Sequence, residues 1–287
     1  MGSFQSKNEW TSEGKNVLIT GASSGIGLEL AKQFAKQGAS LALLARSKDT
    51  LAKVADECIN LGSPRAEIFV CDLTNEADIK KSMESIKDTM GTLDVVILNA
   101  GRSQGCYFEE IKDVDSIGYM IKLNVTSVIS CLHFLLPIVP KSSSSRIVFI
   151  SSVAGLIGVP YRTIYCSSKH AMAGFVNALR IELLDSYGKD SPVVQLINFP
   201  EVKGTNLNAG RMDFGADLPP AQFKEGVILD VKQACTMLLE QIALGAREWG
   251  QPFKFKVLLP LRGLIANVLD KIILKTVKKT HFRPVIA

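Results

Sequence analysis

The sequence predicts a doubly wound α/β fold, one parallel sheet with helices on both faces. Three observations carry the prediction. Short apolar runs alternate with longer stretches of helical period along most of the chain. The runs are apolar throughout, not at every second residue, as strands covered on both faces require. Strict alternation of strand and helix also supplies the crossovers that parallel neighbours need.

Taken in order, the strands fall at 16–20 (NVLIT), 40–45 (SLALLA), 67–71 (EIFVC), 94–98 (DVVIL), 146–151 (RIVFIS) and 193–199 (VVQLINF). Helical patterns occupy 25–37, 48–61, 76–90, 115–136, 163–187 and 230–244. Phe253, Phe255 and Val257 alternate with Lys254 and Lys256, the pattern of a final, half-exposed strand. A length of 287 residues fits one such domain, placed at 15–260 between tails at 1–14 and 261–287. The serine run 142–145 reads as a short loop, and residues 201–226, rich in Gly, Pro and Asn, as a flap beside the site.

Composition excludes several classes. With 47% hydrophobic and 21% charged residues the chain is too apolar to be disordered. Its six cysteines lie far apart with only three histidines, which argues against a zinc site or a disulfide framework and for reduced thiols in the cytoplasm. The N-terminus is polar, so no signal peptide is expected. The net charge of +5 sits in the last residues, where Arg262, Lys271, Lys275, Lys278, Lys279 and Arg283 face Asp270 alone. The rest is neutral overall, unlike a nucleic-acid binder.

The first strand runs into Thr20-Gly21-Ala22-Ser23-Ser24-Gly25-Ile26-Gly27 and then a helix. That order places a pyrophosphate on open backbone N–H groups and the positive helix end, with Ser23 and Ser24 as extra donors. The spacing is G-x3-G-x-G, not the commoner G-x-G-x-x-G. NAD-binding folds carry an acid about 20 residues past such a turn to hold the ribose hydroxyls. Here the second strand ends in Ala45-Arg46-Ser47, and a guanidinium suits a 2′-phosphate, which argues for NADP(H).

Tyr165 and Lys169 stand four residues apart in a helical pattern and so share a face. An ammonium beside a phenol favours phenolate, and moving a tyrosine pKa from ~10 towards 7 needs roughly 4 kcal/mol. Ser152 closes a strand thirteen residues earlier, where its hydroxyl can meet the same substrate oxygen. Asn124, in a helical stretch, is a candidate holder of a water linking Lys169 to solvent.

These motifs, with Asp72-Leu73 and Asn99-Ala100-Gly101, resemble the short-chain dehydrogenase/reductase family from about Lys15 to Leu258. The resemblance implies that Tyr165 is the acid/base and Ser152 holds the carbonyl oxygen. It makes Lys169 the residue that binds the nicotinamide ribose and lowers the tyrosine pKa, and Asn124 the anchor of a relay water. It puts Asp72 at the adenine, Asn99 near the cofactor ribose and Arg46 at the 2′-phosphate. After the sixth strand the family has Pro-Gly and then a Thr at the carboxamide. Here Pro200 and Thr205 keep the spacing, but Glu201 replaces the Gly and Lys203 an apolar residue.

The expected activity is NADPH-dependent reduction of a ketone, or the reverse oxidation. The look of the chain resembles lipid- and steroid-directed members, such as 11β-hydroxysteroid dehydrogenase-like and 3-ketosphinganine reductase-like proteins. The competing class is an NADPH-binding sensor or scaffold without turnover. Leu156-Ile157-Gly158-Val159-Pro160-Tyr161 fits either a pocket wall for a greasy substrate or packing on the sheet.

From Leu261 apolar residues recur at 264, 265, 268, 269, 272, 273 and 277, opposite a basic face. Such a helix suits an anionic bilayer surface, the protein's own body or a second subunit of a homodimer; lysines interrupt it too often for spanning. Met1-Gly2-Ser3-Phe4-Gln5-Ser6 fits the N-myristoylation pattern and also a cloning remnant. Peripheral contact with a cytoplasmic membrane face, such as the endoplasmic reticulum, is the expectation drawn from the two ends together.

Overall fold

The computed structural model describes residues 10–205 and 229–249 continuously, together with 212, 214, 222, 223, 268, 270, 271, 281 and 282. Six strands, β1 (Asn16–Thr20), β2 (Ser40–Ala45), β3 (Ala66–Val70), β4 (Val95–Leu98), β5 (Arg146–Ser152) and β6 (Val193–Phe199), form one parallel sheet. With β7 (Val202–Lys203), β8 (Gln222–Phe223), β9 (Leu229–Asp230) and β10 (Glu248–Trp249) numbered along the chain, the sheet order is β10-β6-β5-β4-β1-β2-β3. The seventh strand is therefore Glu248–Trp249, paired with Leu196 and Ile197 of β6. The alternating run Phe253-Phe255-Val257 lies outside the described residues.

Both faces of the sheet are covered because its central strands, β1, β2 and β4, are apolar and buried on both sides. On one face Val17, Ile19, Leu41, Leu43 and Ile97 pack under α1 (Gly25–Lys36), α2 (Lys48–Asn60) and α7 (Val231–Leu244). On the other, Leu18, Leu44, Val96, Leu98 and Phe149 pack under α3 (Glu76–Met90), α5 (Ser127–Leu135) and α6 (Thr163–Tyr187). Burying side chains of this size stabilises by roughly 1.5–3 kcal/mol each.

Helix ends follow local chemistry. Asn75 accepts from the Ala77 and Asp78 amides to start α3, and Gly91, at φ +71°, ends it. Asp230 accepts from the Lys232 amide to start α7, which Gly245 ends in the left-handed region. The span read as one helix over 115–136 is interrupted. The helix α4 (Asp115–Ile121) passes through a π turn, Lys122–Thr126, before α5 begins. By length and composition, the helical run Asp115–Ile138 is long and apolar enough to cross a membrane. In this fold Val128, Cys131, Leu132 and Leu135 seat it in the core beside α3. All six cysteines are buried, and none forms a disulfide.

The order reverses between β1 and β4. The chain leaves β1 towards β2 on one side and, after β4, continues to β5 on the other. The crevice at the carboxyl ends of those two strands is where open α/β sheets bind ligands.

Candidate active site

The glycine turn sits at that reversal. Gly21 and Gly25 have φ of +68° and +56°, conformations that L side chains rarely adopt. A Cβ on Gly27 would overlap the Gly21 carbonyl oxygen and stand 2.7 Å from Asn99 Nδ2, so only glycine lets α1 start this close. Ser24, at the head of α1, makes no side-chain cap, and the first turn carries no acid. Its amides are therefore available to an anion at the positive helix end.

The turn is braced from β4. Thr20 Oγ1 accepts from the amides of Asn99 and Ala100 at 2.9 and 3.1 Å. Asn99 Nδ2 donates to the Thr20 carbonyl at 2.9 Å. Asn99 is thus a strut of the glycine turn. Gly101 follows, and a Cβ there would approach Asn124 Oδ1 at 3.1 Å and Lys169 Nζ at 3.8 Å.

Beside the turn, Arg46 is exposed at the end of β2. Asp72 accepts from the Thr74 amide and hydroxyl at 2.9 and 2.8 Å. Those bonds, helped by the charges of Arg46 and Lys122, hold its carboxyl below the usual range. Leu73 anchors this loop in the core. On the far side, Thr205 arrives over the turn, its Cβ 3.4 Å from where a Cβ on Gly25 would lie. After Pro200, β7, which carries Lys203, pairs in parallel with β9, and Val202 is buried.

Tyr165, Ser152 and Lys169 are all buried. Lys169 Nζ donates to the Ile150 carbonyl at 3.0 Å and lies 5.7 Å from the centre of the Tyr165 ring. Burial brings its ammonium down from 10.5 to about 8. Ser152 Oγ accepts from the Ala154 amide at 3.2 Å, which leaves its hydroxyl hydrogen free to donate. The Asn124 side chain makes three hydrogen bonds: Oδ1 accepts from the Arg102 amide at 2.9 Å, and Nδ2 donates to the Arg102 carbonyl at 2.9 Å and to Ser168 Oγ at 3.0 Å. Ser168 in turn donates to the Tyr165 carbonyl at 2.7 Å.

Three residues of this site carry no motif. The Arg162 guanidinium lies 6.0 Å from the Tyr165 ring centre. Burial pulls it below its usual value, while Tyr165 and Glu201 act the other way. Gln104 caps the start of α6. Ser168 joins Asn124 to the backbone at Tyr165.

A doubly wound parallel sheet with an uncapped helix start at its reversal point, and a Tyr-x3-Lys pair beside it, defines a dinucleotide-type α/β protein. The short chain dehydrogenase family model matches residues 15–196, and the chain belongs to that family. It is 38% identical over 175 residues to 11-beta-hydroxysteroid dehydrogenase-like 4A of Arabidopsis thaliana, a match covering 61% of this chain and 58% of that protein. It is 33% identical to Hydroxysteroid 11-beta-dehydrogenase 1-like protein B of Xenopus laevis, over 93% of this chain and 89% of that one. The fold also matches a Burkholderia phymatum short chain dehydrogenase/reductase solved in complex with NAD. That match has a TM-score of 0.76 and 22% identity, and covers 90% of this chain and 96% of that one. An alcohol dehydrogenase from Thermococcus sibiricus, complexed with 5-hydroxy-NADP, matches with a TM-score of 0.70 and 25% identity over 83% and 96%.

Proposed function

We propose that the protein is an NADP(H)-dependent oxidoreductase that reduces a ketone, or oxidises the matching alcohol, on a lipophilic substrate. One observation carries the reading: buried Lys169 lies 5.7 Å from the Tyr165 ring centre and donates to the carbonyl of Ile150, on the strand that ends in Ser152, in a fold whose first helix starts without a side-chain cap.

The chemistry that a bound NADP(H) supplies is hydride transfer with the substrate carbon. Gly21, Ser23, Ser24, Gly25, Ile26 and Gly27 would hold its pyrophosphate, and Arg46 its 2′-phosphate. Asp72 and Leu73 would face its adenine, and Asn99, Ala100, Gly101, Lys169, Pro200 and Thr205 its nicotinamide half. In reduction, the Ser152 hydroxyl donates to the carbonyl oxygen while the Tyr165 hydroxyl gives it a proton. The Lys169 ammonium stabilises the phenolate left behind, and with a pKa of about 8 it can pass a proton on near neutral pH. Both Nδ2 hydrogens of Asn124 go to Arg102 and Ser168, so a relay water would meet this residue only at an oxygen, as a donor. The relatives named for hydroxysteroids support a lipophilic substrate.

The test is NADPH oxidation by the full chain against steroid, retinoid and 3-keto lipid panels. Turnover with a member of these panels is expected. NADPH binding without turnover on any of them favours the sensor or scaffold and overturns the enzymatic reading.

The C-terminal stripe supports peripheral attachment to a membrane on its cytoplasmic side. Within it Val268, Asp270 and Lys271 are helical and exposed, and Val268 keeps 56% of its surface. Each basic residue near an anionic surface adds about 1 kcal/mol. The other residues of the stripe, and Gly2, lie outside the described residues. Co-sedimentation with anionic vesicles should be lost in a chain ending at Pro260; equal binding by both forms contradicts it. A homodimer is proposed with it. Ile181 and Leu184 leave an apolar patch on α6, and light scattering reads the mass.

A further inference from the structure

After β4 the chain runs through Ser103, Gln104 and Gly105 under the start of α6, and the Gln104 side chain there is fully buried. A backbone amide can only donate, so the side-chain atom facing α6 is the oxygen. Oε1 accepts from Ile164 N at 2.8 Å and from Tyr165 N at 3.4 Å. Nε2 donates to the Cys106 carbonyl at 3.2 Å and to Thr163 Oγ1 at 3.4 Å. The residue at the head of α6, Arg162, makes no side-chain cap. Two orphan amides of the first turn, those of Ile164 and Tyr165, are thus closed by a glutamine 60 residues from Ile164 in the chain.

The same peptides hold Met212. Gln104 bridges in parallel to Met212. Met212 N donates to the Ser103 carbonyl at 2.9 Å, and Gly105 N donates to the Met212 carbonyl at 3.1 Å. Two residues on, Phe214 is buried in the apolar cluster that contains Tyr165, and its carbonyl accepts from the amides of Lys112 and Asp113. One buried side chain therefore fixes the helix turn that carries Tyr165 and stands where Met212 pairs with the loop after β4.

We propose that Gln104 is a positioning residue: it sets the first turn of α6, and with it the Tyr165 hydroxyl, at the point where the chain pairs with Met212. The inference rests on the reading of Tyr165 as proton donor. An apolar residue at 104 leaves two helix amides without their acceptor, and the turn relaxes to find others. A displacement of about 1 Å at a reacting group can lower the rate about a hundredfold while leaving a cofactor held elsewhere in place.

The experiment compares full-length Gln104→Leu and Gln104→Glu with the unsubstituted protein, using NADPH and the panel member that turns over. Glutamate retains the acceptor that α6 needs. Gln104→Leu should lower kcat about tenfold to a hundredfold with the Kd for NADPH within about twofold, and Gln104→Glu should recover most of kcat. An unchanged kcat in Gln104→Leu, a parallel loss of NADPH affinity, or a Gln104→Glu as slow as Gln104→Leu overturns the proposal. If Gln104→Leu does not fold, Gln104→Asn carries the same comparison, because its amide is one methylene too short to reach both N–H groups. Tyr165→Phe in parallel separates the two claims. Full turnover there overturns the proton-donor reading, whereas an inactive Tyr165→Phe beside an unimpaired Gln104→Leu overturns the positioning role alone.

Discussion

Asn124 grips the backbone of Arg102 at both ends, its Oδ1 accepting from the amide and its Nδ2 donating to the carbonyl, each at 2.9 Å. The π turn Lys122–Thr126 presents that side chain inward, and the grip holds the loop after β4 against α6 through Ser168. Widened turns of this kind occur often at functional sites. Asn124→Leu leaves the Arg102 amide and carbonyl without these partners and should destabilise the protein by about 2 kcal/mol or more. The urea midpoint reads it, and a shift below about 0.5 kcal/mol contradicts the bracing role.

Two glycine substitutions should behave oppositely. A Cβ on Gly27 runs into Gly21 and Asn99, whereas one on Gly174, exposed in the middle of α6, meets nothing within 4 Å. Gly27→Ala is expected to cost about 1–3 kcal/mol and to abolish NADPH binding. Gly174→Ala should stabilise by about 0.5–1 kcal/mol through helix propensity alone. Thermal melts with and without NADPH compare them; a Gly27→Ala protein that binds the cofactor normally contradicts the close approach.

Lys169 makes stability depend on pH. Burial lowers its folded-state value to about 8 from 10.5, so between those limits the unfolded chain holds a proton that the folded chain has released. Below pH 8 the folded state bears the cost of a buried ammonium, and raising the pH removes it. Relative to Lys169→Met, which cancels the other titrating groups, the cofactor-free protein should gain on the order of 3 kcal/mol between pH 7 and pH 10.5. Parallel stability curves for the two proteins contradict the depressed pKa.

On the proposed reading, Arg46 selects the phosphorylated cofactor. It is exposed at the end of β2, where the run Ala45-Arg46-Ser47 includes no acid. Arg46→Ala should weaken NADPH by about tenfold to a hundredfold and leave NADH nearly unchanged, the value of one charge-assisted fork at a partly solvated site. Fluorescence titration of both cofactors measures it. Equal losses contradict a role at the 2′-phosphate.

The parts of this molecule written locally are legible in the chain. β1, β2 and β6 fall where their apolar runs lie, and the glycine turn and Tyr165-x3-Lys169 are recognisable because spacing alone sets their geometry. The π turn is not, since apolar residues on both sides of it continue the helical period and one inserted residue leaves no mark. Nor is the seventh strand, two residues long and beginning with Glu248. Gln104 carries no signal either, because its meaning lies in a helix start far along the chain that only tertiary structure brings to it. Asn99 and Asn124 stand out as site residues in the sequence, yet that their amides brace backbone is visible only in three dimensions.

Tyr165→Phe tests the central claim most directly, because it removes one hydroxyl and leaves the packing of the ring. NADPH affinity and turnover should be measured on the same preparation. The account predicts an unchanged Kd for NADPH with kcat lowered about 10²–10⁴-fold, the share of a general acid. Turnover at the level of the unsubstituted protein would contradict it.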